Sequence, residues 1–218
     1  MTVIVAHKAN KRSLLLKYLR EGAKVIEFDV ARRSDGALIV RHGAETASHG
    51  VRRMIMGYGY LLIEGRDPLL RPSTLEEHLS IVDGRSGVWL DLKSRGIERE
   101  AVALARRFGV KEVIVSSGFH HTLRYAKEAD SAVLVFLGNV QYRPADPVKE
   151  VELASADGVS IHYDFVDGEL VEELHSAGYK VAVWTVNDPA KALELANLGV
   201  DYIITDVPEK VRNVVREA

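Results

Sequence analysis

Eight short apolar segments alternate with amphipathic segments along this chain, and this alternation constrains the fold more than any other feature. The predicted strands are residues 3–6, 25–30, 88–92, 112–116, 132–137, 158–162, 180–185 and 201–205. The predicted helices between and after them include residues 13–21, 98–108, 119–128, 147–154, 168–177, 189–198 and 208–216. Connections this short are typical of βα units. Eight such units predict an α/β fold, a (β/α)8 TIM barrel.

Two segments fall outside this alternation. Residues 37–41 form one more apolar segment, which we interpret as the arm of a β-hairpin above the barrel. Residues 43–72 are interrupted by several glycines and prolines, and we interpret them as a short irregular insertion, either a lid or a packed surface loop. A chain of 218 residues, 47% of them hydrophobic, is long enough for one sizeable core. We therefore predict a single domain over residues 1–218.

Composition excludes several classes of function. The net charge of -2 gives no broad basic surface, so we expect no nucleic-acid partner. Because the chain has no cysteine, disulfides, thiolate metal sites and cysteine nucleophiles are excluded. No stretch approaches the roughly 18 to 20 apolar residues of a membrane span. The N-terminal residues lack the features of a signal peptide, so we expect a cytoplasmic location.

The predicted strand of residues 25–30 carries two acids, Glu27 and Asp29, that lie two residues apart. Side chains at this spacing share one face of a strand. If that face points inward, two like charges are buried together, which is costly unless a cation compensates them. Carboxylate oxygens suit Mg²⁺ or Ca²⁺. The pair therefore indicates a metal site, and the alternative is a strand whose polar face meets water.

Two histidines strengthen the metal interpretation. Asp35-Gly36 is a strong signal for a two-residue hairpin turn, and that turn would place His42 opposite Asp29. His7 follows the first predicted strand, at the end where active sites of this fold lie. Asp91 and Lys93 repeat the two-residue spacing on the strand of residues 88–92, as a further ligand and an anion-binding cation, or as a local ion pair.

Several short motifs occur in the order and spacing of the motifs of the glycerophosphodiester phosphodiesterase family. The chain resembles this family across nearly its whole length. The motifs are Ala6-His7-Lys8, Glu27-Phe28-Asp29, Asp35-Gly36, His42-Gly43, Pro72-Ser73-Thr74-Leu75-Glu76-Glu77, Asp91-Leu92-Lys93, Val183-Trp184-Thr185-Val186-Asn187 and residues 199–208. Any one of these motifs is weak, but their order is specific.

The resemblance implies metal-dependent hydrolysis of glycerophosphodiesters to an alcohol and glycerol phosphate. It implies one divalent ion, Mg²⁺ or Ca²⁺, held by Glu27, Asp29 and Asp91. It also implies a pair of acid/base catalysts, His7 and His42, of which we take His42 as the base and His7 as the acid. The residues expected to bind the small-molecule phosphodiester or its phosphate are Lys8, Lys93 and Trp184.

The chain departs from the family pattern at several places. Lys8 replaces an arginine, which keeps the charge and loses a bidentate grip on phosphate. Asp91 replaces a longer glutamate, and Gly43 replaces an aspartate. The loop after His7 is shorter than in the family.

Other classes of function stay open at this stage. One is a phospholipase D-like phosphodiesterase that acts on a lysophospholipid, since sphingomyelinase D enzymes share a similar plan of histidines and acids. Another is a catalytically weak barrel that only binds phosphodiesters. A third is an amidohydrolase, but those enzymes typically carry His-x-His on the first strand, and this chain has no such pair.

Overall fold

The computed structural model describes residues 1–41 and 72–216. Within these ranges the chain forms nine strands, of which eight are mutually parallel. The strands are β1 (Val3–Ala6), β2 (Val25–Arg32), β3 (Leu38–Val40), β4 (Gly87–Leu92), β5 (Val113–Ser117), β6 (Leu134–Val140), β7 (Gly158–His162), β8 (Lys180–Trp184) and β9 (Tyr202–Thr205). Most of their residues are buried on both faces, as expected for parallel strands covered by helices.

The parallel strands close into a barrel. Their order is β1, β9, β8, β7, β6, β5, β4 and β2, and β1 also pairs with β2 to complete the ring. The remaining strand, β3, is antiparallel to β2 and lies outside the ring. The predicted (β/α)8 barrel with a hairpin arm is therefore confirmed.

Helices pack around the barrel. Those that the structure describes are α1 (Arg12–Arg20), α2 (Leu75–Val82), α3 (Glu98–Arg107), α4 (Arg124–Ala129), α5 (Pro147–Leu153), α6 (Gly168–Ser176), α7 (Pro189–Asn197) and α8 (Pro208–Arg216). Several helices begin at a side-chain cap. Thr74, for example, caps α2 in a capping box with Glu77, which satisfies backbone donors that the helix leaves unpaired.

The inside of the barrel is filled by aromatic side chains. Trp89, Phe136 and Tyr202 contact one another with ring centroids 4.9 to 5.6 Å apart. All three side chains are buried. The barrel is therefore a packed core and not a channel, and substrate can reach only its ends.

The hairpin between β2 and β3 has a different register from the one that we predicted. Val30 pairs with Val40 and Arg32 with Leu38, so the loop contains three residues and Arg41 lies opposite Asp29. The physical reason is Gly36, whose φ of 91° forms the left-handed residue of a three-residue hairpin loop. The predicted pairing of His42 with Asp29 is wrong, and His42 itself lies outside the described residues.

None of the helices in residues 1–41 and 72–216 combines the length and the apolar character that a membrane crossing requires.

Candidate active site

A cavity of about 110 Å³ opens at the C-terminal ends of the barrel strands. Its lining includes His7, Lys8, Glu27, Asp29, Asp91, Lys93 and Trp184, so seven of the eight predicted site residues lie together. A larger cavity of about 450 Å³ lies at the opposite end, near Met1 and Arg212. Because active sites of this fold lie at the C-terminal ends of the strands, we place the candidate site in the smaller cavity.

Three carboxylates form the floor of this cavity. Glu27, Asp29 and Asp91 each present an oxygen, and these oxygens lie within 4.8 Å of one another. The register of β2 and β4 explains the cluster, since Asp29 pairs directly with Asp91. Glu27 and Asp29 are 3% and 2% exposed, so the cluster is held away from water.

The pKa of Glu27 is raised well above its ordinary value. Burial is the largest cause, and the negative charges of Asp29 and Asp91 add to it. A hydrogen bond at 2.6 Å from the backbone N–H of Lys8 to Glu27 Oε2 acts in the opposite direction. Lys8 has a φ of 49°, a left-handed conformation that directs this N–H into the cluster. The cluster therefore favours a further cation.

Lys93 is a cation already present in the cluster. Its Nζ lies 2.6 Å from Asp91 Oδ2 and 3.3 Å from Asp29 Oδ1, and the residue is 8% exposed. Burial alone would lower the pKa of Lys93, but these two carboxylates raise it above its ordinary value, so the ammonium stays charged. The structure thus places Lys93 against the acids, where one positive charge faces three carboxylates.

His7 lies next to the carboxylate cluster, and a hydrogen bond fixes its ring. Its ring donates from Nδ1 to Asp206 Oδ1 at 2.8 Å, and its Nε2 lies 4.0 Å from Glu27 Oε2. Asn187 holds Asp206 in turn, since Nδ2 donates to Oδ2 at 2.7 Å and Oδ1 accepts from the Asp206 backbone N–H at 2.9 Å. The hydrogen bond from His7 is the main reason why the pKa of Asp206 is lowered. Nε2 is therefore the ring nitrogen on the cluster side.

Sequence reasoning missed residues that hold the carboxylates in place. Asn10 donates from Nδ2 to Asp29 Oδ2 at 2.7 Å and accepts from the Asp29 backbone N–H at 3.0 Å. Ser116 donates to Asp91 Oδ1 at 3.0 Å and accepts from Trp89 Nε1 at 2.8 Å. Both residues lie at the C-terminal end of a strand or in the loop after it. A polar residue at this position is a candidate for the active site of a barrel, so the sequence contained a signal for both. Asn187, which holds Asp206, lies in a loop of the same kind after β8.

The fold and the site together define a (β/α)8-barrel enzyme with an acidic cavity at the catalytic end of the barrel. Solved structures with this fold include a phosphodiesterase from Oleispira antarctica in complex with the product sn-glycerol-3-phosphate. It is 23% identical, covers 99% of this chain and 97% of its own chain, and superposes with a TM-score of 0.78. At this identity the likeness shows the fold alone.

The sequence comparisons identify the family. The model of the "Glycerophosphoryl diester phosphodiesterase family" matches residues 74–210, which is more than half of the chain. The chain therefore belongs to the glycerophosphoryl diester phosphodiesterase family, and the predicted enzyme class is confirmed.

Two relatives extend the match to the N-terminal strands. A glycerophosphodiester phosphodiesterase from Bacillus altitudinis is 25% identical over 100% of this chain and 99% of its own length. One from Caldanaerobacter subterraneus is 27% identical over 99% of this chain and 98% of its own length. The part of the chain that carries His7, Glu27 and Asp29 is thus included in these matches.

Proposed function

We propose that this enzyme hydrolyses glycerophosphodiesters to an alcohol and glycerol phosphate with a divalent ion held by Glu27, Asp29 and Asp91. One observation carries the proposal: three carboxylate oxygens converge within 4.8 Å of one another, in a cavity that also contains His7. The family membership supports the substrate class, and the cavity contains carboxylates and a histidine, which this reaction would use.

The residues of the cluster fit a hard divalent ion. Oxygen is the ligand that both Mg²⁺ and Ca²⁺ prefer, and each of the three residues offers a carboxylate oxygen. Two buried acids and the half-buried Asp91 face the ammonium of Lys93. The pKa of Glu27 is raised first by burial and then by the charges of Asp29 and Asp91. Asn10 and Ser116 fix two of the carboxylates, as hydrogen-bonding partners commonly orient the ligands of a metal.

A phosphodiester needs charge neutralisation, an activated nucleophile and a protonated leaving group. A bound divalent ion would supply Lewis-acid stabilisation of the phosphoryl oxygens. His7 would protonate the departing alkoxide from Nε2, because Asp206 occupies Nδ1. His42 would act as the base toward water or a substrate hydroxyl, a role that follows from the family motif.

The remaining predicted residues would bind the substrate. Lys8 and Lys93 line the cavity on the carboxylate side and would attract the anionic phosphate. Trp184, at the end of β8, would pack against the carbon atoms of the substrate. Binding and acid/base groups would then surround the scissile phosphodiester from several strands.

The decisive experiment measures release of the headgroup alcohol from a panel of glycerophosphodiesters and a lysophospholipid, with and without chelator. We expect release from the unaltered protein that is lost with chelator and restored by Mg²⁺ or Ca²⁺. Glu27→Gln keeps the size of the side chain but removes its charge, so we expect at least a 100-fold loss of activity. Glu112→Gln is the matched control, since Glu112 precedes β5 at the other end of the barrel.

The outcomes separate the proposed reaction from its alternatives. Release only from the lysophospholipid would favour the phospholipase D-like reaction. Metal binding in the unaltered protein without release from any diester would favour a barrel that only binds phosphodiesters. Full activity of Glu27→Gln would exclude the carboxylate cluster as the site.

A further inference from the structure

The wall of the cavity across the barrel from the carboxylates is formed by β6, β7 and β8. The described residues that line it carry no ionised side chain, and they are Gly138, Asn139, Ser160, Trp184 and Thr185. Because the cationic side chains Lys8 and Lys93 lie on the other side, the phosphate of a substrate belongs there. The glycerol moiety attached to this phosphate must then face this neutral wall.

Asn139 occupies a β-bulge in this wall. The register of β6 against β7 shifts between Leu137 and Val140, and Asn139 has a φ of 58°. Residues other than glycine adopt this left-handed conformation only rarely, although asparagine tolerates it better than most. Bulges beside active sites commonly change the direction of a side chain, and this one brings Asn139 to the cavity.

Neighbouring residues hold the bulge and its side chain in place. His120 donates from Nε2 to the carbonyl oxygen of Gly138 at 2.9 Å, which anchors the backbone beside Asn139. Gly118 lies next to the Asn139 amide, and a Cβ at residue 118 would be only 3.1 Å from Asn139 Nδ2. The absence of a side chain at Gly118 therefore makes room for the amide.

We propose that Asn139 is a specificity-determining residue that hydrogen-bonds a hydroxyl of the glycerol moiety. Within residues 1–41 and 72–216, no protein group forms a hydrogen bond with its side-chain amide. An amide offers both donors and an acceptor, which matches a neutral hydroxyl better than an anion. The inference rests on the proposed function, since that function places a glycerol phosphate in the cavity.

The test is a binding measurement that needs no turnover. Isothermal titration would compare sn-glycerol 3-phosphate with propyl phosphate, which has the same phosphate but lacks both hydroxyls. Asn139→Gly removes the amide and keeps a residue that adopts positive φ readily, so the fold is preserved. We expect this variant to bind sn-glycerol 3-phosphate about 3- to 10-fold more weakly and propyl phosphate unchanged, the loss of one neutral hydrogen bond.

The matched control is Ser155→Gly. Ser155 also has a positive φ, 54°, but it precedes β7 at the opposite end of the barrel, so this variant should bind both ligands like the unaltered protein. Equal weakening of both ligands by Asn139→Gly, or no weakening, would overturn the inference. So would an unaltered protein that binds the two ligands equally.

Failure of this inference and failure of the proposed function are distinguishable. If the unaltered protein hydrolyses glycerophosphodiesters while Asn139→Gly binds both ligands normally, only the inference fails. If no diester is hydrolysed but the preference for sn-glycerol 3-phosphate is present and lost in Asn139→Gly, only the proposed reaction fails.

Discussion

The two sides of the cavity differ in how their side chains are held. On the side of β2 and β4, Glu27, Asp29 and Asp91 are bound by Lys93 and by hydrogen bonds from Asn10, Ser116 and the Lys8 backbone. On the side of β6 to β8, Asn139 is exposed and Trp184 is half-buried. The first side is a connected network of buried and half-buried charges, and the second is a neutral surface.

This difference has consequences for folding and for specificity. Buried charges cost free energy unless each has a partner, so a change on the β2 and β4 side affects both stability and catalysis. Exposed neutral groups can be replaced with little cost to stability, so a change on the β6 to β8 side affects mainly which substrate is bound. Under the proposed function, the cavity would thus separate phosphate chemistry from recognition of the glycerol moiety.

The largest effect that would test this comparison is expected for Lys93→Met. The substitution leaves Asp29 and Asp91 without their ammonium partner, and breaking a buried pair in this way costs about 3–5 kcal/mol. We expect the free energy of unfolding in chelator to fall by this amount, with partial recovery in Mg²⁺ or Ca²⁺. Denaturant titration with and without chelator measures both effects.

The pH dependence of the free energy of unfolding tests the same interaction, and its direction follows from the pKa of Lys93. The folded-state pKa of Lys93 is raised, so its contribution is fully present below the unfolded pKa of about 10.4. It is lost as the pH rises through the folded pKa.

The control for Lys93→Met is Lys127→Met. The ammonium of Lys127 pairs with Asp157 at 2.7 Å, and a quarter of the Lys127 side chain is exposed. This control substitution should lower the free energy of unfolding by less than about 1 kcal/mol. Equal losses from both variants would contradict a special role for the buried network.

A smaller effect is expected for Asp206→Asn, which tests the orientation of His7. The amide keeps the shape of the side chain, but the oxygen that accepts from Nδ1 loses its negative charge. We expect kcat to fall by about 100-fold with little change in KM, since a positioned acid contributes on the order of 100-fold or more. Steady-state kinetics on one glycerophosphodiester measures the two constants separately.

The control for this prediction is a second aspartate–histidine pair in the same barrel. Asp201 Oδ2 accepts from His175 Nε2 at 2.9 Å, but this pair lies at the N-terminal end of β9. Asp201→Asn should leave kcat unchanged. If Asp206→Asn raises KM and leaves kcat unchanged, His7 is not oriented for proton transfer.

Most of the barrel could be predicted from the sequence because its periodicity is strong. The strand of residues 88–92 was predicted almost as it occurs in β4, since buried parallel strands form continuous apolar segments. The hairpin register could not be predicted in this way. Asp35-Gly36 fits both a two-residue and a three-residue loop, and only the left-handed Gly36 in the folded hairpin decides between them.

The candidate site was predicted where its residues lie close together on one strand. Glu27 and Asp29 are two residues apart, so their common face follows from strand geometry. Asp206 and His7 are far apart in the sequence, and they meet because β1 pairs with β9 when the barrel closes. The predicted ring brings the ends of these two strands together, but local spacing does not specify which side chains touch there. The bulge at Asn139 was missed because no local pattern marks a register shift.

The smallest effect is expected on the neutral side, for Trp184→Leu. The substitution removes part of the neutral wall without touching the carboxylate network, so we expect KM to rise about 3- to 10-fold with kcat and the metal requirement unchanged. Kinetics at several metal concentrations measures all three quantities. Tyr125→Leu, on α4 outside the barrel, is the control and should change none of them. A loss in kcat as large as that of Asp206→Asn would show that the two sides are coupled, since the wall would then also position the reacting groups.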